Sequence, residues 1–513
     1  MLHQTRYFHV DKATTSMRVF LLSAWMIIAL RHLIFSSSIS LLSKTSHHNI
    51  FGKQAFGFQA LPSVFQNNSQ RRRNPYHYPQ QQQRTISKMT AVVHHSESEQ
   101  MGNDNNHSIS VAKPSAKLVP SSELEKCGER LREGGLVSFP TETVYGLGCN
   151  ALDSSAIVKV FEAKERPLTD PLITHVTENQ VAFDLWAADT GKTPSLEGKT
   201  LQALCERFWP GPLTLVAKAA PHVHPMLMAN TGFCACRSPQ HSISIALINY
   251  AKVPIAAPSA NKFGHVSPTR SRHVWDDLQH EDVWIVEEEN QESNAETSCC
   301  QVGVESSVAK IEMITDSEKG RITLLRQGAV SLRDIVECLE QAGLDNNFEV
   351  LAMTKKATDE KVANVAPGQT IRHYSPDIPS FILSHSLCLS AFSPPSSDVD
   401  KEFLSKSVLI DFGGRLGAWG KVSLAYRDLS EKADSAEATK GVFEALRWAE
   451  QLQGANHILF PEISDQVEQP DSPNNKNILA SGISPDALTL ALKDRLTRAA
   501  SGVVIDSLGV GMP

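Results

Sequence analysis

The stretch Leu136-Val-Ser-Phe-Pro-Thr-Glu-Thr-Val-Tyr-Gly-Leu-Gly148 determines how the rest of this chain is interpreted. Leu136 to Phe139 has the pattern of a short buried strand, and Pro140 ends that strand because proline has no N–H for the sheet. A polar turn with two glycines is predicted from Thr141 to Gly148, before a helix that begins near Asp153. Such a strand end suits a ligand site at the rim of an α/β sheet. A plain strand–turn–helix corner explains this segment equally well.

Charge divides the 513 residues into a basic leader and an acidic remainder. Residues 1–89 contain one acid, Asp11, and eleven Lys and Arg residues. Residues 90–513 contain 38 basic and 55 acidic residues, which gives a formal charge of −17. We therefore expect no bulk electrostatic attraction between the folded part and nucleic acid. A local basic groove is the alternative that this charge balance does not exclude. The length allows two or three domains.

The first 89 residues are predicted to be a targeting leader. Val19 to Leu30 is apolar except for Ser23, and this run is too short to span a bilayer comfortably but resembles a signal-peptide core. The acid-free, Ser- and Arg-rich tract from Ser36 to Gln83 resembles an organelle transit peptide. Together they resemble two-part plastid leaders, with mitochondrial import and a functionless extension as alternatives. A start at Met89 would give a cytoplasmic form, and no stable membrane span is expected in the mature protein.

The nine cysteines indicate reduced thiols rather than a disulfide framework, because their number is odd and none forms a CxxC pair. An alternative interpretation is that two close pairs, Cys234 with Cys236 and Cys299 with Cys300, bind a metal or respond to oxidants. Neither pair has His or Cys partners at zinc spacing. Ordinary buried or loop thiols are therefore favoured.

Alternating strand and helix patterns predict an α/β fold with two folded domains. The first spans 119–345 and contains a large twisted mixed sheet. A linker, 346–380, leads to a small doubly wound, Rossmann-like domain at 381–513. A disordered linker, 90–118, is expected between the leader and the first domain.

Cations and hydroxyls recur beside the predicted strands of the first domain. Lys164 and Arg166 follow the first helix after the opening stretch, and two such close cations suit an anionic ligand such as a triphosphate. Alternatively, they complement the dipole of their own helix. Other polar clusters are Cys236-Arg-Ser-Pro239, Pro258-Ser-Ala-Asn261, Ser267-Pro-Thr269, Gly303-Val-Glu-Ser-Ser307 and Arg326-Gln-Gly328. The chain has no P-loop, GxGxxG, GxSxG or HExxH motif. These clusters predict a cleft that acts by positioning phosphates and neutralising their charge.

The order of the motifs resembles the YrdC-like family. The matching segments are Pro140-Thr-Glu-Thr-Val-Tyr-Gly-Leu-Gly148, Lys164-x-Arg166-Pro, Asp170-Pro-Leu-Ile-Thr-His175, Pro210-Gly-Pro-Leu-Thr214, Ala256-Ala-Pro-Ser-Ala-Asn261, Ser267-Pro-Thr269 and Gly303-Val-Glu-Ser-Ser307. Two more, Arg372-His-Tyr-Ser-Pro376 and Asp494-Arg-Leu-Thr-Arg-Ala-Ala500, resemble the two-domain members, which are threonylcarbamoyl-AMP synthases. The resemblance covers roughly residues 120 to 505.

Membership of this family would imply a sheet with a concave active-site face and a nucleotidyltransferase reaction. L-threonine, bicarbonate or CO2, and ATP would give threonylcarbamoyl-AMP and pyrophosphate. A downstream tRNA threonylcarbamoyltransferase would then use the product to make threonylcarbamoyladenosine beside the anticodon of tRNAs that read codons beginning with A. Mg²⁺ would be held by the ATP phosphates, and no metal site on the protein is assigned.

The resemblance also implies roles for twelve residues. Those expected at L-threonine are Thr143, His175, Arg237 and Ser306. Those expected at ATP are Lys164, Arg166, Asp170, Ser259, Asn261, Ser267, Arg326 and Tyr374. Among them, Lys164 and Arg166 are the expected catalytic pair, because they would neutralise charge on the reacting phosphates. Glu142 is expected to accept hydrogen bonds from nearby amides rather than act as a base.

Several positions depart from the family's pattern. Asp170 occupies a position where Asn is usual, which puts an extra carboxylate near the expected phosphates. Ser307 replaces Thr, and Gln327 replaces Pro. A double-stranded RNA or tRNA binding module without catalysis is the alternative function, and weak RNA binding is also compatible with the enzyme. A carbamoyl-adenylate domain of a hydrogenase maturation protein is disfavoured, because the CxxC repeats of those proteins are absent.

Overall fold

The fold is described from a computed structural model for residues 115–509, except 190, 192–193, 288–298, 316, 354–363, 366–372 and 464–484. These residues lie in one compact unit, His107–Pro513. The predicted leader at 1–89 lies outside the described residues, and so does Arg372. Within the described ranges, no helix is both long enough and apolar enough to cross a membrane.

Eleven strands form one large mixed sheet. They are β1 (Lys117–Pro120), β2 (Leu136–Phe139), β3 (Gly146–Asn150), β4 (Ile173–His175), β5 (Leu213–Lys218), β6 (Phe233–Arg237), β7 (Ile255–Ala256), β8 (Val283–Glu287), β9 (Ser307–Met313), β10 (Gly320–Arg326) and β11 (Phe348–Ala352). Their order across the sheet is β1-β8-β2-β3-β7-β4-β6-β5-β9-β10-β11. Parallel and antiparallel neighbours are mixed, as predicted.

Within the described residues, seven α-helices accompany this sheet. They are α1 (Leu124–Arg132), α2 (Ser154–Lys164), α3 (Asn179–Leu185), α4 (Leu196–Phe208), α5 (Ser242–Ala251), α6 (Ser271–Leu278) and α7 (Leu332–Gln341). Three 3-10 helices lie at Ser121–Glu123, Pro225–Met228 and Asp345–Asn347.

The helices cover the two faces of the sheet unequally. Successive strand residues point to opposite faces, so Leu136 packs in a core with α2, α4, α6 and α7, whereas Val137 packs with α1 and α5. The α1 and α5 side has a second, much smaller apolar cluster, which includes Ile173 and Val216. The part of this face around Ile173 is therefore open to chain segments that come from outside the sheet.

A second sheet contains five parallel strands. They are β12 (Ser380–Leu383), β13 (Ser407–Asp411), β14 (Ala425–Asp428), β15 (His457–Pro461) and β16 (Val504–Ile505), in the order β14-β13-β15-β12-β16. The helices of this domain are α8 (His385–Ser390), α9 (Asp398–Leu404), α10 (Gly417–Gly420), α11 (Ser435–Glu450) and α12 (Pro485–Ala499). The predicted fold class, a large mixed sheet with a smaller Rossmann-like domain, is confirmed.

The glycines of the opening stretch lie in a strand rather than in the predicted turn. The turn ends at Tyr145, and β3 pairs antiparallel with β2. A Cβ added at Gly148 would lie 2.8 Å from the ring of Phe139 and from the side chain of Ile255. Glycine is therefore needed here for close packing of neighbouring strands, a requirement that a glycine in a sequence does not distinguish from a turn.

The first domain also extends past its predicted end at residue 345. Strand β11, Phe348–Ala352, pairs in parallel with β10 and so belongs to the large sheet. The predicted linker 346–380 therefore begins with a strand. The sequence did not indicate it, because the strand has five residues and one of them, Glu349, is charged. The first strand of the second sheet, β12, begins at Ser380.

An ionic network joins the two domains. His265 contacts Asp277 at 2.9 Å through Nδ1 and Glu450 of α11 at 3.1 Å through Nε2. Arg447 of α11 pairs with the same Asp277 at 2.9 Å. Among the described residues, His265, Asp377 and Glu450 have the spacing of metal ligands, but His265 already shares its protons with two carboxylates. In the described part of the chain neither cysteine pair belongs to such a group, and all nine cysteines are buried.

This network predicts a loss of stability at alkaline pH. Burial lowers the pKa of His265, but hydrogen bonds to Asp277 and Glu450 outweigh burial and raise the pKa from 6.5 to about 9. A raised pKa in the folded state contributes stability that is complete below pH 6.5 and is lost as the pH rises through 9. Between pH 6.5 and 9.5, we expect the free energy of unfolding of the unchanged chain to fall by on the order of 2 kcal/mol more than that of His265→Gln.

Urea unfolding of the chain and of His265→Gln at both pH values would measure this difference. The control is His280→Gln, because His280 is exposed in the turn that follows α6. It should retain the pH dependence of the unchanged chain. If His265→Gln also retains it, His265 is not the titrating group.

Candidate functional site

A pocket lies on the open part of the large sheet's face, beneath the linker. It is lined by Thr141, Thr143, Val144, Gly146, Arg166, Ile173, His175, Arg237, Ala257, Pro258, Ser259, Glu305, Ser306, Arg326, His373 and Tyr374. These residues come from the turn between β2 and β3, from strand ends, from the loops after β7 and before β9, and from the linker. The lining contains three guanidinium groups and one carboxylate. The pocket is therefore suited to an anionic ligand.

The turn of the opening stretch supplies two fixed hydroxyls. Thr141 Oγ1 accepts the N–H groups of Thr143 and Val144, each at 3.2 Å, and lies 2.8 Å from the Thr143 hydroxyl. These bonds replace the backbone pairing that Pro140 ended, because threonine side chains satisfy turn amides. The Thr143 hydroxyl is thus held at the pocket wall.

Arg237, at the end of β6, connects this turn to the rest of the site. One Nη donates to the Thr143 hydroxyl at 2.9 Å, and the other pairs with Glu142 at 2.6 Å. Its Nε donates to the Gly211 carbonyl at 3.2 Å. A guanidinium has five N–H groups, so some remain for a ligand carboxylate. Glu142 also accepts the Gln240 amide at 3.0 Å, which confirms its predicted role as an acceptor.

Two buried histidines in the lining are neutral at physiological pH. Burial, followed by the nearby Arg237 charge, lowers the pKa of His175 to about 3. Burial and then Arg498 hold the pKa of His373 well below 6.5. Nδ1 of each ring has no hydrogen-bond partner among the described residues. Both rings are therefore uncharged polar groups that face the pocket.

Arg326, at the end of β10, fixes Ser306. Its Nε donates to the Ser306 carbonyl at 3.0 Å and one Nη donates to the Ser306 hydroxyl at 3.1 Å. The Thr214 hydroxyl lies 2.7 Å from the same Ser306 oxygen. This arrangement places a cation and an oriented hydroxyl side by side in the lining.

Arg166 is the third pocket cation, and Asp170 positions it. Helix α2 ends at Glu165, whose φ of 55° turns the chain away from the helix axis. Arg166 then pairs with the Asp170 carboxylate at 2.9 Å and donates to the carbonyls of Asp170 at 3.0 Å and Pro171 at 2.8 Å. Asp170 is buried behind the lining. Its charge therefore faces the guanidinium, not the space where phosphates would bind.

Lys164 lies behind the pocket wall rather than in it. Its ammonium group donates to the carbonyl of Ser259 at 2.6 Å and to that of Asn261. Burial, followed by the Arg166 charge, lowers the pKa of Lys164 well below 10.5. An ammonium has three N–H groups, so one remains beyond those two bonds. Lys164 braces the loop that presents Ser259.

Tyr374 closes the pocket from the linker side. Its φ of 61° is a left-handed conformation that a non-glycine residue adopts only when its surroundings enforce it. The ring packs on His373 at 4.2 Å and on Phe443 of α11 at 5.4 Å between centroids. The hydroxyl is buried and has no hydrogen-bond partner among the described residues. The second domain thus holds a linker tyrosine over the first domain's pocket.

Comparisons with known proteins agree with this arrangement. Two sequence families match in tandem, one described as telomere recombination (Sua5, YciO and YrdC) over residues 129–328 and one as the threonylcarbamoyl-AMP synthase C-terminal domain over 330–501. The threonylcarbamoyl-AMP synthases of Schizosaccharomyces pombe and Pyrococcus abyssi are 30% and 31% identical to this chain. The alignments cover 72% and 73% of this chain, and 91% and 93% of those proteins. The chain belongs to the threonylcarbamoyl-AMP synthase family.

A solved member of this family has the same fold. The crystal structure of P. abyssi Sua5 complexed with L-threonine superposes with a TM-score of 0.57 and 26% identity. The match covers 76% of this chain and 99% of that one. It therefore includes both domains of the synthase fold, which confirms the resemblance drawn from the motifs.

Eight of the twelve predicted site residues line the synthase pocket. The other four are buried just behind it: Lys164, Asp170, Asn261 and Ser267. Asn261 donates to the carbonyls of Lys262 and His265, and Ser267 donates to the Glu305 carboxylate. As the structure stands, these four shape the pocket from behind.

Three of the polar side chains in the lining were not predicted. Thr141 and Glu305 lie inside motifs that the sequence had already marked, and His373 immediately precedes Tyr374. Their motif positions were a usable signal, but the sequence did not say which motif side chains point inward.

The Ser307 substitution is neutral in its bonding, because its hydroxyl donates to the Val330 carbonyl at 2.6 Å and accepts the Val330 amide at 3.0 Å.

Proposed function

We propose that this chain is an L-threonylcarbamoyladenylate synthase, a nucleotidyltransferase that makes threonylcarbamoyl-AMP and pyrophosphate from L-threonine, bicarbonate or CO2, and ATP. The observation that carries the proposal is one pocket that brings together three buried guanidinium groups, fixed threonine and serine hydroxyls and a linker tyrosine. Membership of the synthase family supports it. The neighbour solved with L-threonine supports an amino-acid substrate.

The end of the pocket around Arg237 is suited to L-threonine. Arg237 can hold the carboxylate through its remaining N–H groups, because a guanidinium fork matches carboxylate geometry. The hydroxyls of Thr143 and Ser306 are oriented by Arg237 and Arg326, and both can bond the substrate's side chain or carbamate. His175 adds a neutral ring nitrogen. A neutral group here avoids a second buried cation beside the substrate's amine.

A second part of the pocket is suited to the phosphates of ATP. Arg166 and Arg326 line the pocket, and Ser259 adds polar groups to the same lining. The third N–H of Lys164 becomes a phosphate contact if the Ser259 loop shifts on binding, so its catalytic role remains a proposal. Asp170, Asn261 and Ser267 then act through the groups that they hold. Tyr374 would lie over the nucleotide.

The reaction needs alignment more than acid–base chemistry. The neutral threonine amine and CO2 form a carbamate with release of a proton; with bicarbonate, the same amine forms the carbamate with release of water instead of a proton. A carbamate oxygen then attacks the α-phosphorus, a new P–O bond forms, and the bond to the β-phosphate bridging oxygen breaks to release pyrophosphate. Fixed cations at the phosphates lower the energy of this step because they neutralise developing charge without having to reorganise.

Mg²⁺ fits as a companion of ATP rather than as a protein-held ion. The described carboxylates beside the pocket are engaged: Glu142 with Arg237, Asp170 with Arg166, and Glu305 with Arg495. Phosphate oxygens and water suit Mg²⁺, which seldom uses a cage of protein ligands alone. When bound, the ion would reduce the charge on the departing pyrophosphate. We therefore assign it to the phosphates.

The setting of the reaction is proposed from the sequence. The product would pass to a downstream tRNA threonylcarbamoyltransferase for modification beside the anticodon. The leader at 1–89 would direct the full chain to a plastid or mitochondrion, and a start at Met89 would leave it in the cytoplasm. Import into isolated organelles tests the first of these locations.

The proposal predicts that pyrophosphate release depends on all three substrates. With the full chain, ATP and Mg²⁺, release should rise at least tenfold only when L-threonine and bicarbonate are both present, because the carbamate is the nucleophile. A coupled phosphate assay after pyrophosphatase measures the rate, and mass spectrometry identifies threonylcarbamoyl-AMP. Release that ignores either co-substrate contradicts the proposal. L-alanine in place of L-threonine is the matched control, because it lacks the hydroxyl.

A further inference from the structure

Arg495, on helix α12 of the second domain, reaches across to the pocket of the first. Its side chain is among the largest that are fully buried in the described part of the chain. It lies 190 residues beyond Glu305, to which it is bonded. A guanidinium so deeply buried needs several partners, and those partners indicate its role.

The partners of Arg495 belong to the two loops that present pocket residues. Its Nε pairs with the Glu305 carboxylate at 2.8 Å, and one Nη donates to the Gln327 carbonyl at 3.0 Å. Glu305 precedes Ser306, and Gln327 follows Arg326. The neighbouring Asp494 balances the charge at 2.7 Å. One side chain thus ties together the loop before β9 and the turn after β10.

Arg495 also contacts the linker tyrosine. Its guanidinium carbon lies 5.1 Å from the centroid of the Tyr374 ring, within the range of a cation–π contact. The Glu305 carboxylate that it holds accepts the Ser267 hydroxyl through its other oxygen. Loss of Arg495 would therefore remove one contact of Tyr374 and the ion-pair partner of Glu305, the residue that holds Ser267. These groups surround the end of the pocket that we assign to the nucleotide.

We infer that Arg495 is a positioning residue through which the second domain completes the nucleotide end of the pocket. The inference rests on the proposed function for the identity of the nucleotide as ATP. The second domain would thus have a role at the site that the first domain's sheet does not supply. Among the contacts of the described residues, no strand of that sheet has a side chain that contacts the loop before β9, the turn after β10 and the linker together.

Arg447 offers a matched control within the same interface. Like Arg495, it is a buried arginine of the second domain that pairs with a carboxylate of the first, Asp277, at 2.9 Å. It also donates to the Val266 carbonyl. Neither Asp277 nor Val266 lines the pocket. The two arginines therefore share the docking of the domains but differ in their connection to the site.

The experiment compares Arg495→Lys with Arg447→Lys in the full chain. Arg495→Lys should raise the KM for ATP at least tenfold and raise the KM for L-threonine by a clearly smaller factor, because Ser306 is the one proposed threonine residue on the loops that Arg495 holds. Arg495→Lys and Arg447→Lys should lower the thermal midpoint of unfolding by similar amounts. Arg447→Lys should leave the KM values for ATP and L-threonine within twofold of those of the unchanged chain. Equal kinetic changes in the two variants, or an equal rise in both KM values of Arg495→Lys, would overturn the inference.

A second variant guards against misfolding and against failure of the proposed reaction. Arg495→Gln with Glu305→Gln leaves no unpaired buried charge, because Asp494 keeps its ion pair with Arg498 at 3.2 Å, so the variant should fold. Calorimetry with a non-hydrolysable ATP analogue should show at least tenfold weaker binding than in the unchanged chain. Binding of the analogue is measured without any product being formed. A chain that binds the analogue but makes no product would therefore contradict the proposed reaction and leave the role of Arg495 untouched. Unaltered binding in the double variant refutes the role of Arg495.

Discussion

An Arg166→Ala, Asp170→Asn double variant should remain folded and yet release pyrophosphate roughly 10²–10³-fold more slowly than the unchanged chain. Arg166 is a pocket guanidinium held by three acceptors: the Asp170 carboxylate and the carbonyls of Asp170 and Pro171. A cation fixed in advance, in a site away from water, stabilises charge on the transferring phosphoryl group. The second substitution is needed because alanine alone would leave a buried carboxylate without its partner, which costs roughly 3–5 kcal/mol.

Asp170→Asn alone is the matched control. Arg166 would keep both carbonyl acceptors, so activity should fall by no more than a few fold. Steady-state pyrophosphate release, with circular dichroism to verify folding, separates the two variants. Near-normal turnover by a folded double variant would remove Arg166 from the reaction. A large loss in Asp170→Asn would mean instead that the carboxylate itself is required.

The Asp170 example shows what the sequence could and could not reveal about the site. The motif placed a carboxylate near the expected phosphates, where it would repel them. In the structure it is buried against Arg166 and is not among the residues that line the pocket. The sequence gives the charge of a side chain, but its direction depends on packing with residues that are distant along the chain. Lys164 differs from expectation for the same reason, because its acceptors lie at Ser259 and Asn261.

Local signals were reliable where one residue restricts the backbone. Pro140 ends β2, and Asp153 caps α2 by accepting the Ser155 amide at 2.8 Å, both as predicted. Gly146 and Gly148 were misinterpreted as a turn because their strand depends on pairing with β2 and β7. That pairing lies outside any local window of sequence.

The domain interface was the least predictable part of the site. The sequence suggested a separate small domain at 381–513. In the structure, Val144 and Val304 of the first domain share an apolar cluster with Tyr374 and with Phe443 of α11. Burial of that cluster holds the linker against the pocket, so the second domain is part of the active site's architecture. Apolar residues on a helix indicate that a face is buried, but not which domain buries it.

Arg237 carries the second large expected effect, on the amino acid rather than on the nucleotide. An Arg237→Gln, Glu142→Gln double variant should raise the KM for L-threonine roughly 10- to 100-fold, because a hydrogen bond to a charged group contributes roughly 1.5–3 kcal/mol. Both members of the ion pair are replaced, so no buried charge is left alone. Binding of a non-hydrolysable ATP analogue without threonine should change less than twofold.

Glu142→Gln alone tests whether the guanidinium, rather than the ion pair, recognises the substrate. Arg237 would keep its bonds to the Thr143 hydroxyl at 2.9 Å and the Gly211 carbonyl at 3.2 Å, so its N–H groups should stay directed into the pocket. The KM for L-threonine should then remain within about threefold of the unchanged chain. Initial rates across a threonine series at saturating ATP measure it. If the single and double variants are equally impaired, Glu142 fixes the site and the carboxylate contact assigned to Arg237 is wrong.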